Sequence, residues 1–239
     1  IEYKDKVTTE MVDIFKDYAP RPFNRMGDMY PYMVKAPQLW SASFHATDGR
    51  AQARAITATM WPVARHAAKT LVKMHPADLI VTVHPFANTF ALRALGVNRP
   101  PFINVVTDMV TTHALWYDNR ADLILVPTEN ARQRALKYRM SPEKVRVVGL
   151  PVADKYCKPK GRKSTLRKKL GWIVDKPVVL LVGGGEGMGP LAKTAQEIDA
   201  SGLDLSLVIV CGRNQKLKAT LEAYKWENPA FIYGFTREM

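Results

Sequence analysis

Short, almost wholly apolar runs recur along this chain, and helix-like stretches separate several of them. The apolar runs cover residues 78–84, 101–108, 121–128, 144–149, 177–183, 205–212 and 230–235. Amphipathic patterns predict helices over residues 88–95, 129–138, 190–200 and 215–224. Continuous apolar strands that alternate with helices are typical of parallel sheets covered on both faces. The sequence therefore predicts an α/β fold.

A basic stretch interrupts this alternation and predicts a domain boundary. Residues 155–169, here called the basic segment, are dominated by Lys, Arg, Pro, Gly and Ser, although residues 165–170 also have the composition to begin a helix. We therefore predict two Rossmann-like α/β domains, over residues 1–156 and 157–239. Ahead of the first apolar run, a long helix is predicted over residues 49–75, with Pro62 kinking or breaking it.

Charge and cysteine content restrict the partners and the compartment. The chain has 35 Lys and Arg against 22 Asp and Glu, a formal net charge of +13. Such a charge favours binding to nucleic acid, to an acidic membrane surface or to phosphorylated small molecules. Two cysteines without a CxxC pattern favour a reducing, cytoplasm-facing location. No signal peptide is visible, and no apolar run approaches the ~18–20 residues that span a bilayer.

A glycine-rich loop follows the fifth apolar run and leads into a predicted helix. Residues 183–189 read GGGEGMG. Glycine lets backbone N–H groups approach an anion, and a helix N-terminus adds unpaired donors and partial positive charge. The loop predicts a phosphate site, although glycines also end strands in ordinary turns. The absence of GxxxxGK[ST], and of GxGxxG with its acidic partner, disfavours NTP hydrolysis and dinucleotide binding.

Polar residues follow other strands of both predicted domains. In the second domain these are Cys211-Gly212-Arg213-Asn214 and Gly234-Phe235. Ligands of α/β sheets bind beyond the carboxyl ends of strands, so the three strand ends offer a loop for a diphosphate, polar contacts and backbone groups for a base. Arg213 also has the character of a surface salt-bridge partner.

In the first domain, a histidine and polar residues follow strands at His84 and at Thr107 and Asp108, and the latter loop continues to His113 and Trp116. These residue types suit a site, but packing of the loop by Trp116, surface exposure of His113 and a structural role for His84 are alternatives. Metal-ligand spacing is absent among the histidines and acidic residues, as is a GxSxG nucleophile motif.

Basic and aromatic side chains interleave near the beginning of the chain. The basic residues Arg21, Arg25, Lys35, Arg50 and Arg54 lie among Phe23, Met26, Met29, Tyr30, Tyr32, Met33 and Trp40. This mixture favours an anionic membrane interface, where rings lie at headgroup depth and cations pair with phosphate. RNA binding and an ordinary solvated helix face are the alternatives.

Together these motifs resemble a known family. The matching stretches are residues 13–24 (DIFKDYAPRPFN), 81–85 (VTVHP), 106–117 (VTDMVTTHALWY), 148–152 (VGLPV), 181–190 (LVGGGEGMGP), 211–217 (CGRNQKL) and Gly234-Phe235. They resemble the monogalactosyldiacylglycerol synthases and the related processive diacylglycerol glucosyltransferases. Those enzymes share the two-domain GT-B fold with the lipid II-forming N-acetylglucosaminyltransferase.

The resemblance implies an activity and its partners. It implies inverting transfer of a hexose from UDP-galactose or UDP-glucose to diacylglycerol, with no required metal and no cofactor. It also implies a peripheral protein at the cytoplasmic face of a membrane, in contact with anionic lipids and not with nucleic acid. The open alternatives are a UDP-GlcNAc transferase with a polyprenyl-linked acceptor and a non-catalytic nucleotide- or RNA-binding module.

The resemblance further implies roles for residues. The UDP-binding residues would be Gly183, Gly184, Gly185, Glu186, Gly187, Gly212, Arg213, Asn214 and Phe235. The acceptor or anionic lipid would meet His84, Thr107, Asp108, His113 and Trp116. The family's favoured base, a histidine in a GGGH loop, would precede Ile1, which leaves His113 and Asp108 as secondary candidates. A sugar-binding Gly-Pro-Gly segment would follow Met239, so we expect a fold truncated at both ends and residues 1–239 alone to be inactive.

Overall fold

The computed structural model describes residues 6–25, 27–28, 37–158 and 160–236. The chain divides into two compact units, Ile1–Val152 and Ala153–Met239. Each unit contains one wholly parallel sheet with helices between its strands. The predicted α/β class with parallel sheets is therefore confirmed.

The first unit has a sheet of four strands whose order in space follows their order in the chain. The strands are β1 (Ile80–Thr82), β2 (Phe102–Val105), β3 (Leu123–Val126) and β4 (Val145–Val147). The helices are α1 (Pro37–Thr47), α2 (Arg50–Met74), α3 (Pro85–Leu95) and α4 (Glu129–Lys137). Short 3₁₀ turns lie at Phe23–Arg25, Ala114–Trp116 and Pro142–Lys144, and a π-helical turn lies at Ile14–Tyr18.

Apolar side chains from the strands and from α3 build the core of this unit. Phe102, Ile124 and Val126 of the sheet are fully buried, and Leu92 of α3 packs with them. Burial of such side chains supplies the main free energy of folding. The long helix α2 continues through Pro62, so of the two expectations, a kink or a break, the break is absent.

The second unit has three parallel strands, again in chain order. They are β5 (Val178–Val182), β6 (Ser206–Val210) and β7 (Ala230–Tyr233). The helices are α5 (Lys163–Lys169), α6 (Leu191–Asp199) and α7 (Gln215–Glu222), after a 3₁₀ turn at Asp154–Tyr156. The central strand β6 is buried along its whole length, which explains its apolar sequence.

All the predicted strands form, but each is shorter than its apolar run because the ends of the runs pass into the connecting loops. Helix α1 and the Ala114–Trp116 turn had no counterpart in the sequence prediction. Of the basic and aromatic stretch, Met26, Met29, Tyr30, Tyr32, Met33 and Lys35 lie outside the described residues, and the Trp40 side chain is likewise not described. Throughout the described part of the chain, every helix is too short or too polar to cross a bilayer.

Candidate functional site

The glycine-rich loop and the loop after β6 interlock at the carboxyl edge of the second sheet. The N–H of Arg213 donates to the carbonyl oxygen of Gly185 at 2.8 Å. The side-chain NH₂ of Asn214 donates to the carbonyl oxygen of Gly187 at 3.2 Å, and the side-chain oxygen of Asn214 accepts from the N–H of Leu217 at 2.9 Å. Asn214 therefore caps α7 and joins the two loops at the same time.

Two glycines are required by this interlock itself. A Cβ at Gly187 would lie 2.0 Å from the carbonyl oxygen of Cys211. A Cβ at Gly212 would lie 2.4 Å from the carbonyl oxygen of Gly185. Both residues have positive φ, 61° and 57°. These glycines thus serve loop-to-loop packing, a role that the phosphate prediction did not include.

Arg213 lies at this edge, and two side chains contact its guanidinium. It pairs with Glu186 at 2.7 Å, and its Cζ lies 4.5 Å from the centroid of the Phe235 ring. The Arg213 side chain is 60% exposed. The structure thus brings together the three predicted strand ends of this unit, and the salt-bridge alternative for Arg213 is realised through Glu186, itself a predicted site residue.

Backbone N–H groups at the same edge are available for an anion. Among the described residues, the N–H groups of Gly184, Gly185 and Glu186 have no hydrogen-bond acceptor. The first turn of α6, from Leu191, adds the unpaired donors of a helix N-terminus. Such a group of donors next to a guanidinium can hold a diphosphate without a metal ion. The described residues hold no cluster of His, Cys, Asp and Glu that would bind a metal.

In the first unit, Trp116 is buried and ties the loop after β2 to the sheet. Its indole N–H donates to the carboxylate of Asp108 at 2.7 Å. Its carbonyl oxygen accepts from the amides of Asn88 and Asn104, both buried. Trp116 is 2% exposed, so it packs the loop. This packing role is the alternative that the sequence analysis gave for Trp116. A contact of this residue with lipid stays a prediction.

His113 begins the 3₁₀ turn that carries Trp116. Its Nδ1 accepts from the N–H of Leu115 at 3.1 Å, and its Nε2 lies 3.1 Å from the hydroxyl of Thr47. Because that hydroxyl donates to the carbonyl oxygen of Ser43, it accepts the Nε2 proton of a neutral His113. Burial lowers the pKa of His113, and nearby Arg134 adds to this effect while Asp48 and Asp108 oppose it. The arrangement stabilises the turn and leaves no free lone pair for a base.

Asp48, between α1 and α2, also bonds to the Ala114–Trp116 turn. It accepts from the N–H of Ala114 at 2.9 Å and from the hydroxyl of Tyr138 at 2.6 Å, and it pairs with Arg134 at 2.5 Å. Burial acts to raise the pKa of Asp48, but these hydrogen bonds outweigh it and lower the pKa. Sequence reasoning missed Asp48, Asn88 and Asn104; an Asn inside the apolar strand β2 was the available signal, because a buried amide needs partners.

His84 and Asp108 lie at neighbouring strand ends, with exposed Thr107 beside Asp108. The His84 ring stacks on Phe86, 6.0 Å between centroids, and meets the edge of Phe15 at 5.1 Å. Partial desolvation lowers the pKa of His84, while Asp108 and Asp13 oppose the shift. The predicted residues of this unit therefore converge on one sheet edge.

Two cavities adjoin these residues in the first unit. One, of about 210 Å³, lies between α2, α3 and the turn at Ile14–Tyr18; Phe15 and Phe86 line it. Its polar atoms are already bonded: the Thr59 hydroxyl donates to helix carbonyls, and the Tyr18 hydroxyl lies 2.6 Å from His75 Nε2. The other, of about 460 Å³, is lined by several charged residues, namely Arg50, Arg54, Arg93, Asp118 and Arg120.

Comparison with known proteins supports the fold and identifies the family. A solved structure of Anabaena HepE in complex with UDP matches with a TM-score of 0.52 and 15% sequence identity, covering 76% of this chain and 54% of that one. Residues 1–152 match the family model of monogalactosyldiacylglycerol (MGDG) synthase. A probable MGDG synthase of Glycine max is 34% identical over 250 residues, which cover 100% of this chain and 47% of that protein. MGDG synthase 1 of Arabidopsis thaliana is 33% identical, with 100% of this chain and 47% of that protein covered.

The two units, each with a wholly parallel sheet, have a GT-B type of fold. Within that type, the chain belongs to the MGDG synthase family. It spans about half the length of the curated relatives it matches. Both plant relatives are described as chloroplastic.

Proposed function

We propose that this protein transfers galactose from UDP-galactose to diacylglycerol at a membrane surface. The names of the curated relatives supply the sugar and the acceptor. The observation that carries the proposal is the interlocked pair of loops in the second unit, with its free N–H groups, Arg213 and Phe235. In this proposal the N–H groups of Gly184–Glu186 and the first turn of α6 stabilise the negative charge that develops on the UDP leaving group.

The nucleotide assignment gives each residue of that edge a separate task. Gly183–Gly187 line the diphosphate, while Gly212, Arg213, Asn214 and Phe235 surround the uridine. Glu186 keeps the guanidinium of Arg213 in place through their 2.7 Å ion pair. The free N–H groups replace a metal ion in this arrangement, because they already point fixed positive charge toward the phosphates.

The first unit supports a lipid acceptor. The apolar cavity touches His84 through Phe15 and Phe86, and its bonded polar atoms leave a hydrocarbon chain as the fitting occupant. In this proposal the glycerol hydroxyl lies near His84, Thr107 and Asp108, with the loop of His113 and Trp116 beside it. The cavity that contains four arginines supports contact with an acidic lipid headgroup. We also propose a cytoplasmic-face, peripheral location.

UDP binding by the chain tests the donor half of the proposal. We expect isothermal titration calorimetry to detect UDP binding, and Arg213→Ala to weaken it by about tenfold or more, because a charge-assisted contact is lost. Lys225→Ala, which removes an exposed cation of the same unit, is the matched control and should leave UDP affinity unchanged. Equal effects of the two substitutions would show that Arg213 acts only through net charge, and would refute its assignment.

The choice of sugar and acceptor needs a product assay. For a protein that contains this chain and spans the full length of its relatives, with vesicles that contain diacylglycerol, UDP-galactose should yield a galactolipid detectable by mass spectrometry. UDP-GlcNAc with a polyprenyl-linked acceptor should yield nothing. Since the chain spans about half of its relatives, we propose that residues 1–239 alone bind UDP without transferring sugar. Product formed by residues 1–239 would disprove that last point, and a GlcNAc product would favour the alternative acceptor class.

A further inference from the structure

The basic segment accounts for the whole net positive charge of the second unit. Residues 155–169 contain eight Lys or Arg and no Asp or Glu. The rest of Ala153–Met239 contains seven Lys or Arg against nine Asp or Glu, so it is slightly acidic. A charge separated in this way is a local feature of one segment of the chain and does not follow from the high net charge of the chain.

Most of these cations lack a counter-ion. Lys158 pairs with Asp154 at 3.2 Å, and Arg167 donates to the carbonyl oxygens of Val174 and Lys176 at 2.6 and 2.9 Å. Five further cations of the segment are exposed and have no acidic partner among the described residues; they are Lys160, Arg162, Lys163, Lys168 and Lys169. Arg167 therefore supports the local fold. The five exposed cations repel one another, and an anionic partner removes this electrostatic repulsion.

Apolar side chains are exposed at both ends of the cationic run. Tyr156 is 56% exposed and Leu170 is 48% exposed. The ammonium of Lys155 lies 4.6 Å from the centroid of the Tyr156 ring. A cation that lies over an amphipathic ring at one end of the run, and an exposed aliphatic side chain at the other end, both suit the headgroup boundary of a bilayer.

We propose that the basic segment is a membrane-contact surface that binds a bilayer rich in anionic lipids. The partner is a lipid surface because an extended plane of acidic headgroups can neutralise all the free cations together. Binding of single-stranded RNA uses several exposed rings as stacking platforms, and Tyr156 is the one aromatic residue of the segment. The surface lies on the unit that contains the glycine-rich loop, and it is distinct from the arginine-lined cavity of the first unit.

Charge reversal in the segment, matched by charge reversal elsewhere on the same unit, tests the proposal. The test variant is Lys160→Glu with Lys163→Glu, and the control is Lys216→Glu with Lys225→Glu, two exposed lysines outside the segment. Both variants change the net charge equally. Binding is measured by co-sedimentation with phosphatidylcholine vesicles that contain about one-third phosphatidylglycerol. Circular dichroism and thermal unfolding verify that each variant is folded.

We expect the test variant to bind these vesicles roughly 25-fold more weakly than the unchanged chain, since each cation near an anionic surface contributes about fivefold. The control should lose far less, and binding of the unchanged chain should fall as salt rises. Equal losses in both variants would show a general charge effect and overturn the proposal. If the test variant lost binding to RNA but still bound the vesicles, the membrane proposal would also be overturned, in favour of RNA as the partner. Neither measurement requires sugar transfer, so failure of the proposed activity leaves this test intact.

Discussion

The glycines of the nucleotide unit differ in what they do, although several share a positive φ. Gly184 and Gly187 have φ of 67° and 61°. A Cβ at Gly184 meets nothing within 4 Å, whereas one at Gly187 overlaps the carbonyl of Cys211. Conformation and steric fit can therefore be separated at these two positions.

We predict that Gly187→Ala destabilises the second unit far more than Gly184→Ala does. An alanine with positive φ costs roughly 1–2 kcal/mol at either position. At Gly187 the overlap adds to this cost, so we expect a total loss of more than about 3 kcal/mol. Urea unfolding followed by tryptophan fluorescence measures both variants. Similar losses would mean that the interlock of the two loops adjusts without cost.

The neutral state of His113 predicts a dependence of stability on pH. Burial lowers the folded-state pKa of His113 below its ordinary value of 6.5, so near this pH the unfolded chain binds more protons. The stability contributed by neutral His113 is present above about pH 6.5 and is lost as pH falls toward the lowered pKa. His84 shifts in the same direction and adds to the trend.

His113→Asn isolates that contribution, because Asn retains a cap acceptor for Leu115 but does not titrate. Unfolding at pH 7.0 and at lower pH should show a smaller loss of stability for this variant than for the unchanged chain. His66→Asn, at an exposed helical position, is the control. If His113→Asn keeps the full pH dependence, the titration belongs to other groups.

At the scale of elements, Asp48 connects the start of α2 with α4 and the Ala114–Trp116 turn. Asp48→Asn removes the ion pair with Arg134 but leaves an oxygen for the N–H of Ala114. We expect a loss of about 1–3 kcal/mol from the first unit, because Arg134 then loses its carboxylate partner and keeps only its bonds to the Thr112 carbonyl and the Tyr138 hydroxyl. Asp78→Asn, at an exposed position, should change unfolding in urea by less than about 0.5 kcal/mol. Equal effects would contradict the anchoring role of Asp48.

The elements that the sequence predicted are those defined by local pattern. The strands and most helices follow from apolar runs and amphipathic periods, and the polar strand ends follow from the geometry of parallel sheets. The bonds of Asp48 were not predictable, since they join residues 66 to 90 positions apart. The packing role of Gly187 also depends on a distant partner, Cys211. Long-range contacts of this kind leave no periodic signal in one sequence.

At the scale of the whole molecule, the boundary between units lies next to the exposed basic segment, which predicts a site of limited proteolysis. We expect trypsin to cleave early after Lys160 or Arg162, but not after Lys158, because Pro159 follows it. Mass spectrometry should find one stable fragment for each unit. Early cleavage inside α2 or after Arg213, with the segment intact, would contradict this expectation.

The strands of each sheet are arranged in the order in which they occur in the chain. Among the described strands, each one after the first of its sheet pairs with the strand synthesised just before it. Pairing with the neighbouring strand in the chain gives shorter loops than any other order of these strands would, which lowers the entropic cost of loop closure. Each described sheet can therefore grow at one edge during translation, and the described strands of the first unit can pair while the second unit is still being synthesised.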